Sequence, residues 1–328
     1  MFSSQGRQPT LPLTKPTDPV DVVSGSATLD GSLSASIPPF SPRLLMKLLL
    51  QTLQAGANYL AKHKVEEARL NMEHLLAHVL ECRRLDLYLR FGEMLHEPDL
   101  ARLRVLTKQR AEGTPLQHLL GTVEFGDLEL VSDHRALIPR PETEYLCEIL
   151  TRRFADSPPS RVLDMACGSG CIGLSLAHRW KSAEVVLADI SEEALDLARL
   201  NASRHQLHQV QLRRSDLFEK LTGTFDLIVT NLPYIPSAEI PTLSREVRRD
   251  PLLALDGGPD GLSIVNRFLD ECVTFLNESG VIALELGMDQ PLLVAERLNA
   301  IGWTDVEVQL DLAGVQRFVL AKKPSLTE

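Results

Sequence analysis

Asn231-Leu232-Pro233-Tyr234 closes the apolar run Phe225-Asp226-Leu227-Ile228-Val229-Thr230, and Ala166-Cys167-Gly168-Ser169-Gly170 follows a second run that ends Leu163-Asp164-Met165. Open α/β sheets bind ligands at the carboxyl ends of strands, so both tetrapeptide and glycine turn stand where chemistry is done. An amide nitrogen attacks poorly, because its lone pair is delocalised into the carbonyl. Deprotonating it near neutral pH is too costly. A site can instead accept both of its N–H hydrogens, here on the Asn231 side-chain oxygen and the Leu232 carbonyl, which fixes the nitrogen and raises its electron density. Pro233 stiffens such a turn, and the Tyr234 ring can pack flat on a planar amide. Methyl transfer to that nitrogen is an in-line displacement that discharges a cation, so it needs no strong general base. Taken alone, the four residues also suit a plain strand-ending turn.

Gly168, Gly170 and Gly173 satisfy G-x-G-x-x-G between a strand and a helix, and Asp189 follows about twenty residues later. The spacing fits a dinucleotide, S-adenosylmethionine, or a bare tight turn that uses glycine for sterics. In either ligand reading Asp189 accepts ribose hydroxyl protons. A carboxylate at Asp164 sits well near a cationic cofactor and poorly beside pyrophosphate, which favours the methyl donor. Glycine turn and tetrapeptide together point to methyl transfer onto an amide or amino nitrogen.

The pattern that positions them is regular. Strands are expected at 161–165, 184–188, 209–213, 225–230, 281–286, 304–310 and 316–321, and helices at 170–180, 192–205, 262–276 and 290–301. Alternating β and α segments imply a mostly parallel sheet covered on both faces, and the last two strands lack a helix between them, so the final strand enters antiparallel. Upstream, apolar residues at helical spacing predict a bundle: a helix from Ser41 as N-cap and Pro42 through Leu60, one over 65–82, and one over 98–112 ended by Gly113. Residues 122–131 alternate around Gly126-Asp127 as a hairpin. Residues 1–40, rich in Ser, Thr, Pro and Gly, cannot bury enough surface to offset their ordering and read as a disordered leader.

Composition narrows the class. The net charge of −10 over 328 residues argues against holding nucleic acid mainly through phosphates. Five cysteines without a disulfide-framework spacing suit a reducing cytoplasm. No apolar run reaches transmembrane length, and no signal peptide opens the chain. His74 and His78 share a helix face without further ligands, and Cys167 and Cys171 form C-x₃-C without a second pair, so no metal is expected. Arg140, Glu142 and Glu144 surround Pro141 as a helix start. Arg245, Arg248 and Arg249 form a basic cluster that suits a solvated loop or acidic groups on a protein partner.

Asn231 to Tyr234, Asp164 to Gly170, and Leu137-Ile138-Pro139-Arg140-Pro141-Glu142-Thr143-Glu144 together resemble the HemK/PrmC family of peptide chain release factor glutamine N5-methyltransferases. Pro115-Leu116-Gln117 with Gly121, Glu124-Phe125-Gly126, Asp250-Pro251 with Ala254-Leu255, and Gly257-Gly258 with Asp260-Gly261-Leu262 extend the likeness over about 42–323. The resemblance implies a class I S-adenosylmethionine-dependent methyltransferase domain, Rossmann-like, over 139–328. It also implies a helical substrate-recognition domain at 41–120 and a β-hairpin linker at 121–138. By position the cofactor would touch Asp164, Ala166, Cys167, Gly168, Ser169, Gly170, Asp189, Leu217 and Asn231. The substrate, the glutamine of the Gly-Gly-Gln loop of release factors, would meet Asn231 to Tyr234, with Arg140 and Glu142 shaping the entrance. The implied partners are thus release factors, with no membrane and no direct sequence-specific nucleic acid binding. Three positions depart from the family pattern: Leu232 replaces a proline, Ala166 the first loop glycine, and Leu217 an aromatic found in some members. Asn-Leu-Pro-Tyr is also typical of ribosomal RNA adenine dimethyltransferases, which keeps N6-adenine methylation as the alternative, with a non-catalytic cofactor-fold scaffold as a third.

Overall fold

The computed structural model describes residues 47–324. The expected leader at 1–40 and the helix start at Ser41-Pro42 lie outside the described residues. The first elements are β1 (Lys47–Leu48), α1 (Leu49–Lys62), α2 (Ala68–Val79), a 3-10 segment (Arg84–Leu89), β2 (Met94–Leu95), α3 (Glu97–Ala111) and α4 (Leu116–Leu120). Leu49, Leu53, Leu60, Met72, Leu75, Leu76, Leu100 and Leu103 fill their shared core. Gly56 lets α1 and α2 approach, since a Cβ there would lie 2.3 Å from Met72 Sδ.

The 65–82 helix is shorter than its apolar pattern. At the end of α1, Lys64 takes φ 60°, and at the end of α2 Glu81 takes φ 50°. Val65 N then donates to Leu60 O (3.1 Å) and Cys82 N to Ala77 O (3.0 Å), the bonds of a Schellman stop. A Lys and a Glu occupy the left-handed position that glycine usually marks, so no residue type announces these ends. Gly113, which does announce its own, closes α3 as expected, with φ 94° and Thr114 N on Gln109 O.

After the hairpin of β3 (Thr122–Phe125) and β4 (Leu128–Val131) comes α5 (Pro141–Arg153). Then follow β5 (Arg161–Met165), α6 (Cys171–Arg179), β6 (Glu184–Asp189), α7 (Glu192–Arg204), β7 (Val210–Arg214) and β8 (Phe225–Thr230). The chain ends with α8 (Ser263–Glu271), β9 (Leu276–Glu285), α9 (Gln290–Ala300), β10 (Thr304–Leu310) and β11 (Gln316–Lys322). These strands form one seven-stranded sheet in the order β10-β11-β9-β8-β5-β6-β7, parallel except for β11. Successive residues feed opposite faces: Val162 and Leu227 one core layer, Leu163 and Ile228 the other. β9 begins ahead of the expected 281, because its register with β8 jumps from Phe225↔Leu276 to Leu227↔Val281. The residues taken up by that irregularity break the alternation that would have marked the strand. Among the described residues no helix is long and apolar enough to cross a membrane.

Strand order reverses at β5 and β8, the switch point where such sheets open a crevice. Met165 pairs in register with Thr230 on one side and with Ala188 on the other, and Thr230 pairs with Leu284. The next residues, Ala166, Asn231, Asp189 and Glu285, therefore stand side by side at the carboxyl edge, the last two still paired as the ends of β6 and β9.

Candidate active site

The turn after β5 is built on left-handed backbone. Ala166, Gly168 and Gly170 have φ of 55°, 54° and 81°. Gly170 N closes on Cys167 O at 2.8 Å, and Cys167 N bonds Ala188 O at 3.0 Å. Gly173 serves helix–sheet contact: a Cβ there would stand 2.2 Å from Leu187 Cδ2 and 3.0 Å from Asp164 Cβ. Ala166 carries strain that glycine avoids. Ala166→Gly is expected to stabilise the protein by about 0.5–1 kcal/mol, the left-handed penalty less the added freedom of the unfolded chain. Urea unfolding without cofactor checks this; an unchanged or lower midpoint would remove strain at 166 from the description.

Asp164 does not line the cleft. It is fully buried behind the turn, where its Oδ2 accepts from Gly173 N (2.8 Å) and ties α6 to β5. Burial, against that hydrogen bond, pushes its carboxyl up to about 7. The expectation that it faces a cationic cofactor gives way to a carboxyl that anchors the helix, because the strand pleat turns it inward.

Asp189 does reach the cleft. Its Oδ2 accepts from Gly168 N and its Oδ1 from Ser191 N, both at 2.9 Å, and each oxygen keeps a further lone pair. Desolvation raises its pKa against those bonds. The cleft, about 260 Å³, is also lined by Ala166, Cys167, Gly168, Ser169, Leu217 and Asn231. Gly170, Tyr234 and Glu142 lie outside that lining. Leu217 has φ 44°, a second left-handed non-glycine on the cleft wall. Ser169 lends the lining a buried hydroxyl with no hydrogen-bond partner among the described residues. An acceptor-rich strand end, a glycine turn and this orphaned hydroxyl fit S-adenosylmethionine.

Across the switch point, Thr230 Oγ1 donates to Met165 O (2.7 Å) and locks the two strand ends together. Asn231 Nδ2 donates to Thr143 Oγ1 (3.2 Å), and Thr143 Oγ1 donates to Glu285 Oε2 (2.7 Å). Among the described residues no hydrogen bond ends on Asn231 Oδ1 or Leu232 O. Two acceptors are thus free at the holder. Its back is braced by Gln290 Nε2 on Tyr234 O (2.9 Å) and by Ile235 N on Leu255 O (3.0 Å). Gly257 and Gly261 wrap it closely: their Cβ atoms would stand 2.7 Å from Pro233 O and 2.3 Å from Tyr234 O. Burial drives the Tyr234 phenol up to about 12, so it stays neutral.

The Leu232 side chain is buried in the core beneath the sheet's carboxyl edge and does more than fill a gap. Its N–H makes no hydrogen bond among the described residues, so proline would remove none. Leu232→Pro is expected to keep single-turnover transfer within a few-fold while costing about 1–2 kcal/mol of stability through lost apolar packing. Rapid-quench rates beside thermal unfolding separate the two effects. Abolished transfer at intact stability would mean that the side chain at 232, and not its carbonyl, serves the reaction.

At the entrance, Arg140 pairs with the buried Asp250 (2.8 Å), whose other oxygen accepts from Ile138 N (3.3 Å). Pro141 opens α5, with Glu142 and Glu144 in its first turn as expected. The segment carrying Asp250 is tied to the helices as well. Arg245 donates to His63 O (3.0 Å), and Glu246 pairs with the buried Arg110 (2.7 Å). Of the basic cluster read as a solvated loop or as facing a partner, all three arginines are exposed, and Arg245 is in addition bonded to backbone carbonyls of the helical segment.

Thr143 and Glu285 were not singled out from sequence. The signal for Glu285 was a lone carboxylate inside the apolar stretch Val281-Ile282-Ala283-Leu284-Glu285-Leu286, which a buried strand tolerates only with a partner.

A sheet of this order, with the glycine turn, the acidic end of β6 and the amide holder at its switch point, defines a class I S-adenosylmethionine-dependent methyltransferase. The chain matches the family described as Methyltransferase small domain over 141–247 and that described as PrmC N-terminal domain over 51–121. It is 40% identical to a release factor glutamine methyltransferase of Deinococcus radiodurans over 264 residues, covering 80% of this chain and 94% of the relative. It is 41% identical to that of Geobacter sulfurreducens over 263 residues, covering 80% and 92%. In fold it is similar to the hMettl16 catalytic domain solved with a MAT2A 3'UTR hairpin, at TM-score 0.51 and 14% identity, covering 72% of this chain and 86% of that one. The chain belongs to the release factor glutamine methyltransferase family.

Proposed function

We propose that the protein transfers a methyl group from S-adenosylmethionine to the side-chain N5 of the glutamine in the Gly-Gly-Gln loop of peptide chain release factors. The observation that carries this is the pair of free acceptors, Asn231 Oδ1 and Leu232 O, at the mouth of the cofactor cleft. When bound, S-adenosylmethionine supplies an electrophilic methyl on a sulfonium. Asp189 would hold the ribose hydroxyls; Ala166, Cys167, Gly168 and Ser169 would let the backbone approach the cofactor, and Leu217 would flank the adenine, all six lining the cleft. Asn231 and Leu232 each take one N–H of the glutamine amide, while Pro233 and Tyr234 fix the angle of that backbone. The nitrogen that gains the methyl, as the methyl–sulfur bond breaks, would shed its surplus proton to solvent, so no side chain need act as a strong base; Glu285 is engaged with Thr143.

Arg140, braced by Asp250, and Glu142 border the entry of the substrate loop. Residues 41–120 serve protein recognition, 121–138 link, and 139–328 catalyse. Such a partner places the enzyme in the cytoplasm, and a net charge of −10 accords with a protein substrate over direct sequence-specific nucleic acid binding. Incubation with methyl-labelled S-adenosylmethionine and either release factor or ribosomal RNA tests the reading. Label is expected in release factor and absent when its loop glutamine is replaced by glutamate; label in RNA alone would move adenine methylation ahead.

A further inference from the structure

Two buried groups beside the holder, of which Thr143 also lines the cleft, have no role in the chemistry above. Glu285, at the carboxyl end of β9, and Thr143, in the first turn of α5, are each 2% exposed. The register of β8 with β9 brings Glu285 beside Asn231, and the Thr143 hydroxyl joins them. We infer that Thr143 and Glu285 are positioning residues that dictate which end of the Asn231 amide faces the substrate. This rests on the proposed glutamine methylation.

The reason lies in counting protons. A threonine hydroxyl has one, and a carboxylate has none. With Glu285 ionised, the Thr143 proton goes to Oε2, and Oγ1 offers only lone pairs to Asn231. Asn231 must then turn Nδ2 toward Thr143, which leaves Oδ1 as the acceptor in the cleft. Once Glu285 is protonated, its carboxyl can donate to Thr143 Oγ1 and release the threonine proton toward Asn231. The amide then gains by flipping and would present N–H donors to the N–H donors of the substrate.

The surroundings keep both states within reach. Burial raises the Glu285 carboxyl, opposed by the Thr143 hydroxyl, by Arg317 from β11 and by the Asn231 amide, which therefore turns its N–H toward the carboxylate as well as toward Thr143, and reinforced by Glu142 from α5, leaving it at about 7. The other titratable groups facing it are the neutral Tyr234 phenol and the Cys147 and Cys171 thiols on α5 and α6, both thiols pushed up by burial. Arg317 is itself engaged with Asp311 and does not close on Glu285 as an ion pair. Ionised Glu285 is the working form, so turnover rises as pH climbs through about 7.

The full-length protein, labelled S-adenosylmethionine and whole release factor give kcat against pH, with calorimetry of cofactor binding on each variant. Wild type is expected to show a rising limb centred near 7. Glu285→Gln should lose that limb and turn over about 10-fold to 10²-fold below the wild-type plateau, the scale of a misplaced reacting group. Thr143→Val should fall similarly with cofactor affinity within a few-fold of wild type, and Thr143→Ser should restore both rate and limb. A wild-type limb retained in Glu285→Gln, or full turnover in Thr143→Val, would overturn the inference. A second readout does not depend on the substrate. The Asn231 side-chain NH₂ resonances, assigned by their loss in Asn231→Ala, should shift across about pH 7 in wild type and stay fixed in Glu285→Gln. If glutamine is never methylated, the functional reading fails, and these resonances alone decide the orientation: no shift in wild type refutes it.

Discussion

Asn231→Ala is expected to slow methyl transfer by at least about 10²-fold, the scale of removing one preorganised polar contact from an active site. The loss comes from geometry. Asn231 Oδ1 is one of two acceptors that hold an unreactive amide nitrogen on line, and its Nδ2 is fixed by the hydroxyl of Thr143. Alanine leaves the Leu232 carbonyl to hold the nitrogen by a single N–H, so the amide can swing out of line. Cofactor affinity should change less, because Asn231 is one of many residues that line the cleft. Single-turnover rates at saturating cofactor measure the effect. A rate within a few-fold of wild type would mean that the amide is held elsewhere.

Asp189→Ala should weaken S-adenosylmethionine binding by about 1.5–3 kcal/mol, the worth of hydrogen bonds to a charged group. Two losses contribute. The variant lacks an acceptor for the ribose, and it also frees Gly168 N and Ser191 N, which Asp189 holds at 2.9 Å. Asp189→Asn isolates the first from part of the second, since its one carbonyl oxygen can still take a backbone N–H; it is expected to fall between alanine and wild type. Calorimetry reads both variants. Unchanged affinity in Asp189→Ala, or tight NADH binding by wild type, would reject the assignment of this cleft.

Much of the molecule was legible where local chemistry and position agree. β5 and β8 were bounded to the residue because apolar runs stop abruptly at a glycine turn and at a proline-containing tetrapeptide. The antiparallel last strand followed from two strands without a crossover helix. What escaped notice was set by contacts distant in sequence or by backbone that residue type does not mark. Lys64 and Glu81 end helices in a conformation usually left to glycine. Asp164 carries the residue type a cation would want, yet its side chain faces Gly173 beneath the turn. Arg245 looked free because its acceptors, the carbonyls of His63 and Ala111, belong to helices far back in the chain. Thr143 and Glu285 meet Asn231 only through strand register and the docking of α5, neither of which a linear pattern displays.

The most direct measurement is fragmentation mass spectrometry of release factor after incubation with the protein and S-adenosylmethionine. One added methyl on the side-chain nitrogen of the Gly-Gly-Gln glutamine, absent with Asn231→Ala over the same interval, is the expected result. A methyl found on another residue of the factor, or only on adenine of added RNA, would contradict a holder built for a glutamine amide.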